Sequence, residues 1–527
     1  MSRRMDKNMQ DTIDVEVGKN SESANNKRIA KNTAMLYVRM FLVMGVTLFT
    51  SREVLRILGV DDFGIYNIVG GIIVLFTFLN SAMTTSTQRF LNFELGRGRL
   101  DNVSKYFSAS VTIHILIAIV TLLVGEIIGV WFLNEYIKIP EGREYAANWT
   151  LHFSLLGAAV NIIRTPYNAA IIAYEKMSFY AYISIIEVLL RLGVVYLLLI
   201  GDFDKLILYS VLMFIVICVV TFFYYIYSRQ KFKECRFRLF YDKSLYKSLM
   251  SFSGWSLFGS LANVGSYQGT NIILNIFHGV GANAAVGIAN QVQTAVSSFV
   301  ANFQTAFNPQ LVKSYAAGEN SYFIKLILRT SKYSFYLLFV ISLPIYIYCD
   351  KLLGIWLSYV PPYAVDFSRL IILVSLLDAI QGPLWISVQA TGRIKVYQIC
   401  VSLLTLTNIP FSYIAMKNGY PPSGVLVIKI IVSCVLLFYR IGYLRKTMNL
   451  SVRLFSKEVL IPSVIISGVS YVAIYLLSML GNGMVNLLAV SAVSVLLNIV
   501  MIMWIGLTTE ERLFLVRAIR NRFTHGV

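Results

Sequence analysis

Charge is scarce in this 527-residue chain, at 14% of residues, where soluble proteins carry about 25%. With 57% of residues apolar, too few polar side chains remain to cover a water-facing surface. A soluble globular protein is excluded, and lipid must be the solvent for most of the chain. Acids are scarcer than bases, 27 against 46, leaving a net charge of +19. In a polytopic protein that excess is first a topology signal, so nucleic acid is not expected as a partner. The five cysteines, Cys218, Cys235, Cys349, Cys400 and Cys434, are scattered and odd in number, which excludes a recognisable disulfide framework or zinc site. Four dispersed histidines offer no metal-ligand set. Walker A, G-x-S-x-G and H-E-x-x-H motifs are also missing, so no catalytic constellation is expected and the chain is not read as an enzyme. The first thirty residues lack an apolar core and a small-residue cleavage site. They are expected to be a disordered cytoplasmic tail and not a signal peptide.

What is present is a succession of apolar stretches of about 20–30 residues, each long enough to cross some 30 Å of hydrocarbon as a helix. The expected fold class is all-α, a polytopic membrane protein with spans at about 32–56, 64–88, 104–135, 147–174, 177–201, 206–228, 248–277, 283–308, 330–349, 363–390, 395–418, 421–444, 457–480 and 483–507. With the N-terminus in the cytoplasm, 34 Lys and Arg fall on that side and five on the other. The positive-inside rule therefore places both termini in the cytoplasm. Loops on the opposite side are all short, and no soluble domain is expected on either face.

At a register shift of 220, Gly45, Thr50, Gly59, Val60, Ile68, Thr85, Leu91, Gly98 and Lys105 meet Gly265, Thr270, Gly279, Val280, Ile288, Thr305, Leu311, Gly318 and Lys325 without a gap. Helix boundaries, a Gly-containing outer turn and a basic inner loop coincide as well. The first and seventh spans start on the same side, so the repeat is parallel. The expected plan is a tail (1–31), an N-lobe of six spans (32–228), a basic cytoplasmic linker (229–247), a C-lobe of six spans (248–444), two further spans (445–507) and a basic cytoplasmic tail (508–527).

The eighth span carries a polar stripe: Asn290, Thr294, Ser297, Gln304 and Asn308, widened by Gln291, Ser298, Asn302 and Thr305. Its repeat partner, the second span, carries Asn67, Thr77, Asn80, Ser81, Thr84 and Gln88. Such stripes suit a pair of helices lining an aqueous cleft that binds a glycan, whose hydroxyls both donate and accept. The alternative is interhelical hydrogen bonding. Charges within spans are costly and usually functional. Arg39, Arg52, Arg56, Arg164, Arg191, Arg369 and Lys429 stand against Glu53, Glu126, Glu187 and Asp378. Glu187 and Arg191, four apart, can pair on one helical face. Arg52, Glu53 and Arg56 sit near the outer end, where snorkelling competes with function. Arg39 lies about two turns in from the cytoplasmic end of its span and Arg164 about three, so both are placed to line a vestibule of the first lobe, snorkelling again being the competitor. Guanidinium forks match phosphate oxygens. Asp378, alone near the middle of the tenth span, is a candidate proton or sodium site for coupling, with Glu187 as a second candidate; the competing role for Asp378 is a hydrogen bond to a broken helix. Pro166, Pro344, Pro383 and Pro410 are expected to kink their spans. Asp61-Asp62 is read as a cap of the second helix.

Several strings carry a resemblance: Asp62-Phe63-Gly64-Ile65-Tyr66; Arg164-Thr165-Pro166-Tyr167-Asn168 through Ala173-Tyr174-Glu175-Lys176-Met177; Asn308-Pro309-Gln310; and Gln389-Ala390-Thr391-Gly392-Arg393-Ile394-Lys395. In this order they resemble the Wzx-type O-antigen flippases, the polysaccharide-transporter branch of the multidrug/oligosaccharidyl-lipid/polysaccharide exporter superfamily. The resemblance covers nearly the whole chain after about residue 30. It implies a MATE-like fold of two rocking lobes and transport of an undecaprenyl-diphosphate-linked oligosaccharide from the cytoplasmic to the periplasmic leaflet of the inner membrane. It further implies that basic residues of the first-lobe cavity meet the diphosphate, which maps onto Arg39 and Arg164, with Arg52 and Arg191 as further candidates. The last two spans would help form a groove for the lipid tail. The expected partners are the lipid-linked oligosaccharide, membrane lipids and a polysaccharide polymerase, with a monomeric protein and no cofactor beyond a coupling proton or sodium ion. The competing functions are a multidrug exporter of the same fold, which should have twelve spans and an acidic cavity, and a membrane glycan polymerase or glycosyltransferase, which should have a substantial external loop.

Overall fold

The computed structural model describes residues 2–513 apart from 136, 138, 201, 358–359 and 482, and the side chains of 1–27, 48, 60, 67, 71–72, 74–81 and 280 also lie outside the described residues. All regular structure among the described residues is helical. Apolar sequence in lipid leaves backbone N–H and C=O groups no water to bond, and a helix satisfies them within one segment.

In chain order the α-helices are α1 (Ser2–Gly96), α2 (Leu100–Val124), α3 (Val130–Glu135), α4 (Glu144–Ala173), α5 (Met177–Leu197), α6 (Lys205–Lys231), α7 (Lys243–Ala316), α8 (Asn320–Ile347), α9 (Cys349–Trp356), α10 (Ala364–Thr391), α11 (Lys395–Leu406), α12 (Asn408–Lys417), α13 (Gly424–Met448), α14 (Val452–Phe455), α15 (Ile461–Ser478) and α16 (Met484–Met501). The backbone is helical from Ser2, through the stretch expected to be disordered. Eleven described helices are long and apolar enough to cross a membrane, so the chain is a multi-pass membrane protein. The expected seventh and eighth spans fall within α7, where the polar stripe lowers the hydropathy. The second falls within α1, where the side chains of 67, 71–72 and 74–81 are not described. Pro166, Pro344 and Pro383 sit inside unbroken helices. The eleventh span breaks into α11 and α12 at Thr407, three residues before Pro410, whose missing N–H removes a helical bond.

Helices α1 and α7 are each two helices joined at a glycine. Gly59 has φ 81° and ψ 176°, and Gly279 has φ 71° and ψ −171°. These positions correspond under the 220-residue repeat, and both lie in a region of backbone space open essentially to glycine alone. Gly98 (φ 68°) and Gly318 (φ 79°), a second corresponding pair, end the next helices in the left-handed region.

The chain divides into two compact units. Unit 1 comprises Met1–Ser260 with Thr305–Glu319, and unit 2 comprises Leu261–Gln304 with Asn320–Val527. The interior of unit 1 is built on Val54, Phe107, Val111, Tyr167, Val195, Tyr209 and Val220, with a second cluster of Leu133, Leu151 and Leu155. Unit 2 is centred on Ile273, Leu274, Phe367, Ile371 and Met416. Outward-facing Leu116, Ile127 and Trp504 are well exposed, as lipid-facing residues should be.

Two ion clusters hold the loops of unit 1. At one end the Arg143 guanidinium forks onto Asp62 at 2.6 and 2.8 Å and onto Asp204 at 2.5 Å, so one cation ties the starts of α4 and α6 to the part of α1 that follows Gly59. Asp62 thus serves an ion pair, where the sequence reading made the Asp61-Asp62 pair a helix cap. It is Asp204 that caps a helix, accepting from the N–H groups of Leu206 and Ile207. At the other end Glu175, in the turn between α4 and α5, is buried and takes Arg28 and Lys313 at 2.7 Å each and the Gln310 amide at 2.7 and 2.8 Å. Glu175 adopts φ 57°, an uncommon conformation for a side-chain-bearing residue.

Candidate functional site

The helix α5 places Tyr180, Glu187 and Arg191 at spacings of seven and four, hence on one face. Facing helices bring cations to that row. The Arg39 guanidinium, from α1, lies 4.5 Å from the Tyr180 ring centre. Arg164, from α4, approaches the other carboxylate oxygen of Glu187 at 3.3 Å, while Arg191 holds the first at 2.6 Å. Tyr224 of α6 lies 5.4 Å below Arg164, within electrostatic reach of Arg39, Tyr180 and Glu187 as well. Two guanidiniums therefore share the Glu187 carboxylate, and a third, Arg39, lies against the Tyr180 ring on the same row.

The row climbs α5 by eleven residues between Tyr180 and Arg191, about 16 Å at helical rise. Arg191 sits near the Tyr66–Tyr209 pair, whose rings meet edge-on at 4.9 Å. It lines a cavity of about 280 Å³ together with Asn161, Ser154, Ser210, Thr121 and Tyr66. Arg191 Nε is buried without a hydrogen-bond partner among the described residues. The arrangement offers an anion a graded series of cation positions inside unit 1, and no group of three or more potential metal ligands exists among the described residues.

Arg52 does not join this row. Thirteen uninterrupted helical residues separate it from Arg39, about 20 Å, and it is exposed beside the Glu53–Arg56 pair.

The profile of the family described as "Polysaccharide biosynthesis protein" matches residues 29–315, more than half of the chain. The chain belongs to this family. Among solved structures it is similar to an outward-facing multidrug resistance MATE family transporter of the MOP superfamily, with a TM-score of 0.70 at 11% identity over 81% of this chain and 96% of that one. It is also similar to a MOP superfamily transporter from Pyrococcus furiosus Vc1 (DSM3638), with a TM-score of 0.69 at 11% identity and the same coverages. The MATE transporter ClbM in complex with Rb+ matches with a TM-score of 0.65 at 14% identity, again over 81% and 96%. At these identities the likeness is one of fold, and the MATE-like fold is thereby shown. No match is found among the curated proteins.

In this member of the polysaccharide biosynthesis family, the amide stripe is largely turned to local use. Asn290 donates to the Tyr267 hydroxyl at 2.7 Å. Thr294, Ser298 and Asn302 bond carbonyls of their own helix. The Gln304 amide packs against Gly382, where any Cβ would collide with it. Gln291 is exposed, Ser297, Thr84 and Gln88 are half-buried, and Asn308 has a buried Oδ1 with no partner among the described residues. The side chains of Asn67 and Asn80 lie outside the described residues.

Asp378 is not alone, contrary to the sequence reading. It lies in unit 2, within electrostatic reach of Lys429 and Arg440 from α13 and 3.5 Å from the Ser433 hydroxyl. Gln381 donates to that hydroxyl at 2.8 Å and Arg440 to the Gln381 carbonyl at 3.5 Å. Its partners are 51 and 62 residues away in sequence, beyond any helical spacing. The aromatic residues Tyr180 and Tyr224 were also passed over, although the Tyr180-Glu187-Arg191 spacing was available to find the first.

Proposed function

We propose that the chain is a flippase. It carries undecaprenyl-diphosphate-linked oligosaccharide repeat units by alternating access from the cytoplasmic to the periplasmic leaflet of the inner membrane, for O-antigen or another surface polysaccharide. The observation that carries this reading is the row of three guanidiniums along one face of α5, with Arg164 and Arg191 on the carboxylate of Glu187 and Arg39 over the neighbouring Tyr180 ring. Charges held inside a membrane protein at such cost need a ligand to justify them, and a diphosphate matches guanidinium forks bidentately. In the empty protein Glu187 stands where the anion would be. An incoming diphosphate takes over Arg164 and Arg39, and the remaining pair with Arg191 keeps Glu187 from being left uncompensated.

Family membership supports the link to polysaccharide synthesis. The basic row argues against a multidrug exporter that selects cations, and the short outer loops against a polymerase or glycosyltransferase. In this reading both termini are cytoplasmic, the protein works as a monomer upstream of a polymerase, and Asp378 with its Lys429 and Arg440 neighbours is the place where a proton or sodium ion couples to the cycle. In cells lacking this gene, lipid-linked repeat units should accumulate in the cytoplasmic leaflet and surface polysaccharide should disappear. Normal surface display would overturn the reading.

A further inference from the structure

The segment between α6 and α7 is the most basic break in the chain, with Lys231, Lys233, Arg236, Arg238, Lys243 and Lys247 against Glu234 and Asp242. Such a loop is ordinarily pictured in water. The structure puts it elsewhere. Its first part is fixed to unit 1: Phe232 and Cys235 are buried, Phe232 stacks on Tyr174 at 4.1 Å, and Glu234 accepts from the Tyr174 hydroxyl at 2.9 Å. Its end is fixed as well, because Asp242 caps α7 by accepting from Ser244 and Leu245. Between these anchors Arg236 to Tyr241 carries no helix, and the Arg238 N–H donates to the Ser108 hydroxyl of α2 at 3.2 Å.

That bond sets the depth. Helix α2 begins at Leu100, directly after the exposed turn of Arg97 and Arg99. Ser108 is therefore about 12 Å along the helix from that turn, and Thr112, which shares a cavity with Leu239, Phe240 and Tyr241, is about 18 Å along it. The bond from Thr87 to Ser110 and the stacking of Phe90 on Tyr106 hold α2 in register with the end of α1. One headgroup layer is only some 5–8 Å thick. With the Arg97–Arg99 turn at its watery edge, Phe237 to Tyr241 reach the edge of the hydrocarbon. Their exposure fits that depth: Leu239 is 80% exposed, Tyr241 84% and Phe237 44%. Lys231, Lys233, Arg236 and Arg238 are exposed and make no ion pair among the described residues, whereas both acids of the segment are occupied within the protein.

We propose that Arg236–Tyr241 is an interfacial anchor. Phe237, Leu239 and Tyr241 insert among the lipids of the leaflet on the basic side, and the flanking cations hold the phosphate headgroups of anionic phospholipids. Large apolar and aromatic side chains at alternate positions beside basic residues are what an interface-seeking segment requires, and a cluster of Lys and Arg at the end of a spanning helix attracts anionic lipid. The occupant is a membrane phospholipid, independent of the transported substrate.

The test uses the full-length protein in vesicles of phosphatidylcholine with phosphatidylglycerol. A spin label placed by Leu239→Cys, with the signal of identically treated wild type subtracted, should be relaxed more by oxygen than by a water-soluble nickel chelate. A label relaxed mainly by the nickel chelate would overturn the insertion. In a second arm, phosphatidylglycerol retained over phosphatidylcholine by the purified protein is compared between wild type and R236Q/R238Q. The preference should fall about five-fold per charge removed and survive millimolar inorganic phosphate. An unchanged preference in the variant would overturn the headgroup role, as would its abolition by inorganic phosphate, which would mark a site for the free ion. Both substitutions are on exposed residues, so unchanged thermal unfolding of the variant separates lipid binding from misfolding.

Discussion

Gly59 and Gly279 stand 220 residues apart and adopt the same extended conformation at positive φ, each joining two helical halves of one long element. Neither has another heavy atom within 4 Å of where a Cβ would lie, so the requirement for glycine is one of backbone strain and not of space. A conformation of this kind costs about 1–3 kcal/mol in any other residue. Gly59→Ala and Gly279→Ala should therefore lower the unfolding temperature of the purified protein by similar amounts. Gly193→Ala, at an uncrowded position of α5 with ordinary backbone angles, should leave it nearly unchanged. Equal effects at all three would remove the strain argument.

The buried carboxylate of Glu175 pairs with two cations, Arg28 and Lys313. Its replacement by Gln leaves Lys313, itself largely buried, without a counter-charge. Burial already lowers the Lys313 pKa, an effect that Glu175 opposes. Losing one partner of a buried pair costs about 3–5 kcal/mol, so Glu175→Gln should be among the most destabilising single changes in unit 1. Glu175→Gln combined with Lys313→Met should recover part of the loss. Thermal unfolding of the single and double variants checks this, and a double variant no more stable than the single one would contradict it.

At the opposite end of unit 1 the Arg143 cluster should give an acid-sensitive contribution. Partial burial opposes ionisation of Asp204, but the Arg143 hydrogen bond and the N–H groups of Ile207 and Leu206 outweigh it and hold the carboxyl below its ordinary value. A depressed carboxylate contributes stability that is complete above the unfolded value of about 3.9 and is lost as pH falls through the lower folded value. Stability should thus drop between about pH 4 and more acidic conditions in wild type, and drop less steeply in Arg143→Gln. Parallel pH profiles for the two proteins would show that the cluster does not act this way.

The network of Asp378, Ser433, Gln381 and Arg440 should respond to loss of one charge without collapse, because Asn keeps the hydrogen bond from Ser433. Transport by Asp378→Asn in vesicles should lose its dependence on an imposed proton or sodium gradient. An unaltered gradient dependence would exclude a coupling role at this residue.

How far the sequence carried the structure depends on the range of each interaction. The Glu187–Arg191 pair follows from a spacing of four on one helix. The identical backbone breaks at Gly59 and Gly279 follow from a repeat that aligned those glycines without a gap. The arrival of Arg164 at Glu187, of Lys429 and Arg440 around Asp378, and of Lys313 at Glu175 did not follow, because each partner comes from another helix and spacing within one helix is silent on which helices meet. The amide stripe shows a different limit. Thr294, Ser298 and Asn302 each bond a carbonyl of their own helix, and periodicity alone does not separate such bonding from a lining role. The family resemblance makes Arg52 a further candidate beside Arg39, and helical rise separates the two.

The central claim is that guanidiniums in unit 1 carry the diphosphate of a lipid-linked glycan. The most direct measurement is flipping of such a substrate by the full-length protein in proteoliposomes, for wild type and for Ala and Lys at Arg39 and Arg164, at matched protein levels. Charge-assisted hydrogen bonds are worth about 1.5–3 kcal/mol, so each Ala variant should slow flipping about 10- to 100-fold, with Lys recovering only part because it lacks the planar fork. Equal rates in all five proteins would contradict the account and reduce both arginines to anchors of topology.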